Sequence, residues 1–393
     1  MERAALKCRL PEVVPSSFAA MQSERMRVLV VGQTPPPFGG QAVMIEKFLE
    51  GRFATLELAH VRLSYSEEMS EVGRFSLRKV RVLFSTIGAV WRARIKHRSQ
   101  VLYYPPSGPN LVPILRDIIF LLAVRWCFQR TVFHFHAGGV STFMGRLPAP
   151  LRWLAWLAYR RPDLAIRTSD MAPPDAEYFK AKRIISVFNG IEDLAGGPVP
   201  RDPDPQRPMR ILFTALLIPS KGVEVLVQAF IDLVQRGVPA ELMIMGRWGD
   251  AAFEQRMLAL IAEHGCSERV RILGVRTGND KLNDFRAADV FCFPSHFEAE
   301  SFPVVLMEAT QFGLPVVATN WRGIPLMVDE GRNGFLVPIQ SPALVADRLE
   351  QLSRDPQLRQ RMSLAAREVF AERFTLGAFH RNMEAAFGKL API

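Results

Sequence analysis

Cysteine is scarce in this chain of 393 residues: Cys8, Cys127, Cys266 and Cys292 are scattered with no paired spacing. That excludes a disulfide scaffold and a thiolate metal framework, and it suggests a reducing compartment. Long apolar runs are missing too. The best candidate span, residues 114–130, is interrupted by Arg116, Asp117 and Arg125, well short of the roughly 18 apolar residues a membrane helix needs. Residues 1–25 contain no continuous apolar segment, so no signal peptide is expected. A soluble (cytoplasmic) or surface-bound protein is the expectation. Acid is lacking in one half only. Residues 1–200 hold 27 Lys and Arg against 16 Asp and Glu, whereas residues 201–393 hold 22 against 23. The positive excess therefore sits in the N-terminal half and favours an anionic partner there.

What is present is a folded, globular composition, 49% hydrophobic and 22% charged, in a chain long enough for two cores. The first strong strand is MRVLVVG (26–32), followed by the turn-rich QTPPPFGG and a helical pattern, QAVMIEKFLE. Strand, glycine loop and helix in that order begin a doubly wound α/β domain. Apolar runs at 99–106, 130–139, 164–169 and 183–191 continue the alternation. Residues 194–209, dense in Pro and Gly, read as a linker. After it the pattern restarts with a strand at 210–217, helices at 222–237 and 251–265, and strands at 240–246, 269–274 and 288–295. The expectation is a tail (1–25), a first α/β domain (26–193), the linker, a second α/β domain (210–375) and a last helix (376–393) packing back on the first domain. An Asp-Pro-Asp in the linker, Asp202 to Asp204, resembles a metal-chelating pair, but a flexible support does not hold ligands. No metal or cofactor is expected.

One stretch carries the chemistry. HFEAESFPVVLMEATQFGLPVVAT (296–319) sets Glu298, Glu300 and Glu308 in or beside an apolar run, where ionised groups are costly unless satisfied. Pro303 suits a first helical position and Gly313 a C-cap. The loop before the helix lies at the carboxyl end of a strand, where open α/β sheets bind ligands, and the helix start offers unpaired amides to an anion. A carboxylate in the loop and another on the helix could accept sugar hydroxyls while amides hold phosphate. The alternative makes all three surface acids.

This stretch resembles the motif of the family-4 retaining glycosyltransferases (group 1), which have the GT-B architecture of two Rossmann-like domains facing across a cleft. VFNGIED (187–193), KGVEVLVQAF (221–230), ADVFCFPS (288–295) and WRGIPLMVDEGRNGFLVP (321–338) extend the resemblance over the C-terminal half. TPPPFGG (34–40) and FHFHAGG (133–139) carry it more loosely into the N-terminal half. The resemblance implies metal-independent transfer of a hexose from a nucleotide diphosphate sugar to a hydroxyl of a glycan or lipid-linked acceptor. Glu308 would accept the ribose hydroxyls and Glu300 those of the transferred sugar. Amides near Phe302, Pro303 and Val304 would meet sugar and diphosphate, and Lys221 would neutralise the leaving group. Gly39 and Gly40 would let the backbone approach the donor or acceptor, and His136 would sit near the reacting sugar.

Three departures stand out. Ala215 and Leu216 replace the family's Gly-Arg, leaving Arg247, after Gly246, as a possible substitute cation. Leu326 replaces a family glutamate. Glu298 and Glu300 compete for the first acid: counting from Ser295 favours Glu298, and the following Ser301-Phe302-Pro303 favours Glu300. Other readings stay open: an epimerase of the same architecture, a non-catalytic nucleotide-sugar binder, and nucleic-acid binding, for which no motif exists. His134 reads as packed in the domain. Three basic stretches with tryptophan (78–98, 115–130 and 151–161) suit either a membrane surface or burial of ordinary amphipathic faces.

Overall fold

The computed structural model describes residues 25–36, 39–63, 77–136, 138–171, 173–199, 207–298, 300 and 302–390. Two six-stranded sheets, parallel throughout, stand one after the other along the chain. The first is built from β1 (Met26–Gly32), β2 (Leu56–Arg62), β3 (Val101–Tyr104), β4 (Arg130–Phe135), β5 (Leu164–Arg167) and β6 (Ile184–Ser186), in the order β2-β1-β3-β4-β5-β6. Its helices are α1 (Gly40–Leu49), α2 (Leu77–Lys96), α3 (Leu111–Val124), α4 (Val140–Met144), α5 (Ala149–Tyr159) and α6 (Asp175–Tyr178).

The second sheet contains β7 (Met209–Thr214), β8 (Ala240–Met245), β9 (Val270–Gly274), β10 (Val290–Phe293), β11 (Val316–Thr319) and β12 (Gly334–Val337), ordered β12-β11-β10-β7-β8-β9. Around it run α7 (Val223–Gln235), α8 (Ala251–Glu263), α9 (Gly278–Ala287), α10 (Val304–Gln311), α11 (Pro342–Arg354) and α12 (Pro356–Val369), and α13 (Leu376–Gly388) closes the chain.

Parallel strands covered on both faces need apolar residues at every position, which is why MRVLVVG and AELMIM are nearly unbroken. In β1 the alternation decides which layer each side chain joins. Val28 and Val30 pack with α1 and α13, and Leu29 and Val31 with α2, α3 and α5. The second sheet shares one continuous core with its helices.

Candidate active site

A short 3-10 turn, Pro219–Lys221, follows β7, and Gly222 joins it to α7 with φ +82°. A Cβ on Gly222 would stand 2.1 Å from the carbonyl oxygen of Pro294, so only glycine lets the turn press against the loop after β10. The His296 amide donates to the Ser220 carbonyl at 2.8 Å across this contact. Lys221 Nζ thereby donates to Glu300 Oε2 at 2.6 Å, and Ser295 Oγ donates to the same oxygen at 3.0 Å. The ammonium also lies 4.4 Å from the centroid of the Phe297 ring. Glu300 is 8% exposed, and these two donors satisfy the buried carboxylate oxygen.

Glu308 is the fifth residue of α10 and meets a different lysine. Lys281 Nζ of α9 donates to Glu308 Oε1 at 2.6 Å. Sequence reasoning missed Lys281: it is 27 residues from its partner, in a helix of weak apolar patterning. Pro303 is the residue before α10 rather than its first member, and no side chain caps the helix. Its leading amides, from Val304 on, therefore have no side-chain acceptor at the N-cap. The Phe302 ring is buried, stacked on Phe188 with centroids 5.3 Å apart and edge-on to Phe374, so only its backbone is available to a ligand.

Beside β7, the strand β8 ends at Met245 and is followed by Gly246, whose φ is +146°. A Cβ there would lie 1.9 Å from the Ala215 carbonyl oxygen. Leu217 bridges to Trp248, and its amide donates to the Arg247 carbonyl at 2.8 Å. This register sets Arg247, which is exposed, alongside Leu216. Leu326 sits in a 3-10 turn, Ile324–Leu326, after β11.

In the N-terminal half, His134 and His136 share one face of the β4 end, their rings 3.9 Å apart. His134 Nδ1 and the Tyr103 hydroxyl are 2.7 Å apart. Burial holds His134 well below the usual imidazole range, with the neighbouring His136 adding to the effect. Burial takes His136 down to about 3. Both rings are neutral near pH 7, so His136 can exchange hydrogen bonds but does not enter the site as a cation. Gly39 precedes α1 and Gly40 begins it. A Cβ on Gly40 would have nothing within 4 Å, so the fold itself does not demand glycine there.

Past β4 the chain turns at Gly139 (φ +99°) into α4. Asp175 fixes this turn by accepting from the Gly139 amide at 2.9 Å and the Ser141 amide at 2.7 Å. Burial raises the Asp175 carboxyl above its ordinary range, and the hydrogen bonds to Ser141 and Gly139 oppose that rise. No sequence signal links Asp175 to a loop 36 residues away.

The two halves meet over a cavity of about 320 Å³. Pro109, Gly139, Arg146 and Pro174 line it from loops beyond β3, β4 and β5. Glu298 and Arg322 line it from loops beyond β10 and β11. The carboxyl edges of both sheets thus face each other, which is where ligands bind in such sheets. Glu298 and Glu300 separate here: Glu298 is exposed on the cavity wall, and Glu300 is buried against Lys221. Arg322 lies with its guanidinium over Trp321, 5.1 Å from the ring centroid. The linker pair Asp202 and Asp204 lies outside the described residues, as do Pro37 and Phe38 of the first glycine loop.

Residues 201–369 match the family described as Glycosyl transferases group 1. D-inositol 3-phosphate glycosyltransferase of Corynebacterium diphtheriae is 36% identical over 182 residues, 46% of this chain and 42% of the relative. The match thus spans less than half the length of that curated relative. Two solved structures share the whole fold. HepE of Anabaena, in complex with UDP, superposes with a TM-score of 0.70 at 17% identity, covering 93% of this chain and 100% of that one. Sucrose-phosphate synthase from Thermosynechococcus elongatus gives 0.66 at 16%, covering 93% and 99%. Both sheets and the cleft between them are the GT-B arrangement.

Proposed function

With its C-terminal domain belonging to the group 1 glycosyltransferases, we propose that this chain moves a hexose from a nucleotide diphosphate sugar to an acceptor hydroxyl, retaining configuration at the anomeric carbon. The observation that carries the reading is the pair of lysine-matched carboxylates, Glu300 with Lys221 and Glu308 with Lys281, behind the cleft edge of one sheet. Glu308 accepts the ribose hydroxyls and Glu300 those of the transferred sugar. The backbone N–H groups of Phe302 and Val304, on either side of Pro303, which has none, hold the diphosphate, assisted by Lys221 and, in place of the missing family arginine, by Arg247 beside Gly246. UDP is the first nucleotide to test, since HepE holds it.

In the reaction the acceptor oxygen bonds to the anomeric carbon as that carbon's bond to the diphosphate oxygen breaks. The acceptor proton passes to the departing diphosphate on the same face. No metal ion is required in this scheme: Lys221 and the amides supply the positive potential where charge develops. The Gly139 loop and His136 border the sugar, and Gly39 and Gly40 let α1 approach it. The acceptor is a glycan or a lipid-linked intermediate, and the enzyme works in the cytoplasm.

The test is a screen of nucleotide sugars with candidate acceptors, followed through nucleoside diphosphate release and the anomeric coupling constant of the product. Glu308→Ala should raise the donor KM by about 10- to 100-fold, the loss of hydrogen bonds to a charged group. Glu300→Gln should lower kcat by about 100-fold or more. Unchanged turnover in the double variant would refute the assignment of both acids. An inverted product would refute retention, and a new nucleotide sugar formed without acceptor would identify an epimerase.

A further inference from the structure

Helix α3 is apolar on both sides. Ile114, Ile118, Leu121 and Val124 are buried in the N-terminal core, as its position requires. The outward positions should then be polar, and they are not. Leu111, Leu115, Ile119 and Leu122, with Trp126 just beyond the helix, are exposed large hydrophobics at helical spacing. The stripe spans roughly 22 Å at 1.5 Å per residue. Such a helix normally has another apolar phase on its outer side.

The neighbouring helices extend the face. From α2 come Val80, Phe84, Trp91 and Ile95, and from α5 Trp153 and Leu154, all exposed. Trp126 is 75% exposed and Trp153 60%. The indoles of Trp91 and Trp126 both donate to the Ala123 carbonyl, at 3.3 and 2.8 Å, which ties the end of α2 to the end of α3. Arg125 Nη1 donates to the Ala158 and Arg160 carbonyls, tying that corner to α5.

Charge identifies the partner. From residue 77 to residue 161 the chain carries fourteen Lys and Arg and one carboxylate, Asp117. That carboxylate is fully buried, accepting from the hydroxyls of Tyr104, Ser107 and Tyr159 and from Arg116. Arg81, Arg92, Lys96, Arg98, Arg152 and Arg161 are exposed around the apolar stripe. An aromatic and aliphatic strip bordered by cations and free of exposed acid is complementary to an anionic lipid surface. The described residues include no helix long and apolar enough to cross a membrane, and a face of this composition lies along a surface.

We propose that α2, α3 and α5 form a docking face that lies in the headgroup layer of an anionic bilayer, with Ile119, Leu122, Trp126 and Trp153 inserted among the acyl chains. The stripe starts at Leu111, two residues from Pro109 on the cavity wall. Docking therefore holds the mouth of the cleft against the lipid surface, whatever reaction the cleft performs.

The experiment is co-sedimentation of the full chain with vesicles of phosphatidylcholine alone or with 30% phosphatidylglycerol, together with depth-dependent quenching of tryptophan by brominated acyl chains. Binding should need the anionic lipid and weaken with salt. Ile119→Glu/Leu122→Glu should reduce it more than tenfold, and Arg92→Glu/Lys96→Glu by a similar factor, near fivefold for each cation removed. These positions are exposed, and unchanged circular dichroism checks the fold. Brominated lipid should quench wild type and quench Trp126→Phe/Trp153→Phe much less, with Trp91 on the same face accounting for the remainder. Absence of binding to anionic vesicles overturns the proposal. So does binding that both double variants retain, or a wild-type dimer in solution that Ile119→Glu/Leu122→Glu converts to monomer without altering sedimentation with vesicles.

Discussion

Two imidazoles in contact at the end of β4, tilted 32° to each other, are held neutral by the same burial that places them, and this has a measurable consequence at the scale of single residues. In the unfolded chain each regains an ordinary value near 6.5, whereas His136 in the fold is down to about 3 and His134 well below 6.5. Unfolding below pH 6.5 therefore takes up protons. The stability tied to His136 is complete above pH 6.5 and drains away as pH falls towards 3, by roughly 1.4 kcal/mol per pH unit, and His134 acts in the same direction. His136→Asn should lose about 2 to 3 kcal/mol less than wild type between pH 6 and pH 4 in urea unfolding. Identical slopes would mean that His136 is not held neutral. The repeat HFH made the shared face legible in sequence, because alternate residues of a strand face the same way. The partners of the acids were not equally legible. Lys221 stood in a motif, but Lys281 reaches Glu308 only because α9 and α10 lie side by side, and nothing local in GNDKLNDFRA announces that.

Elements position these residues, and two glycines separate what the fold needs from what a ligand would need. Gly222 adopts a left-handed conformation and touches the Pro294 carbonyl. Gly222→Ala should cost about 2 kcal/mol or more through strain and overlap, lowering Tm by roughly 4–8 °C. It should also lower activity by shifting Lys221 away from Glu300. Gly40 opens α1 into empty space. Gly40→Ala should leave stability equal or higher by about 0.5–1 kcal/mol, while weakening donor or acceptor binding if a substrate approaches that turn. Differential scanning calorimetry and initial rates on both variants decide the matter; equal Tm losses would refute the distinction. Continuous apolar strands such as β1 and β8 were readable because both sheet faces are covered. The short helices α4 and α6 were not, since they depend on the Asp175 carboxylate reaching back to Gly139 and Ser141 rather than on periodicity. The edge strand β2 alternates weakly, LELAHVR, and gives little signal against its neighbours.

At the scale of the molecule, two crossings join the halves. The chain leaves the first sheet near Ile191 and returns near Thr375, and the two passes pair: the Ile191 amide donates to the Phe374 carbonyl at 2.9 Å, and the Leu376 amide to the Ile191 carbonyl at 2.8 Å. A Cβ on Gly190 would stand 2.5 Å from the Thr375 carbonyl oxygen, so the passes are in close contact. After the return, α13 lies on the N-terminal sheet, burying Phe379, Met383, Ala386 and Phe387 among residues of β1, β3 and α1. Glu384 accepts from the Thr55 amide at 2.6 Å and its hydroxyl at 2.8 Å at the rim. The last helix in sequence is thus part of the first core, and sequence periodicity alone shows that a helix is amphipathic without naming the core it covers. Phe387 is wholly buried, its ring stacked on Phe48 at 5.9 Å and near Tyr103 at 6.3 Å. Phe387→Ala should cost about 3–5 kcal/mol, and the loss should fall on the far half of the molecule. Native-state hydrogen exchange should show reduced protection for the amides of β1 and β3, with those of β7 and β8 unchanged. Equal loss in both sheets would mean that the two cores unfold as one unit, and that the crossings couple the halves more tightly than their few backbone hydrogen bonds imply.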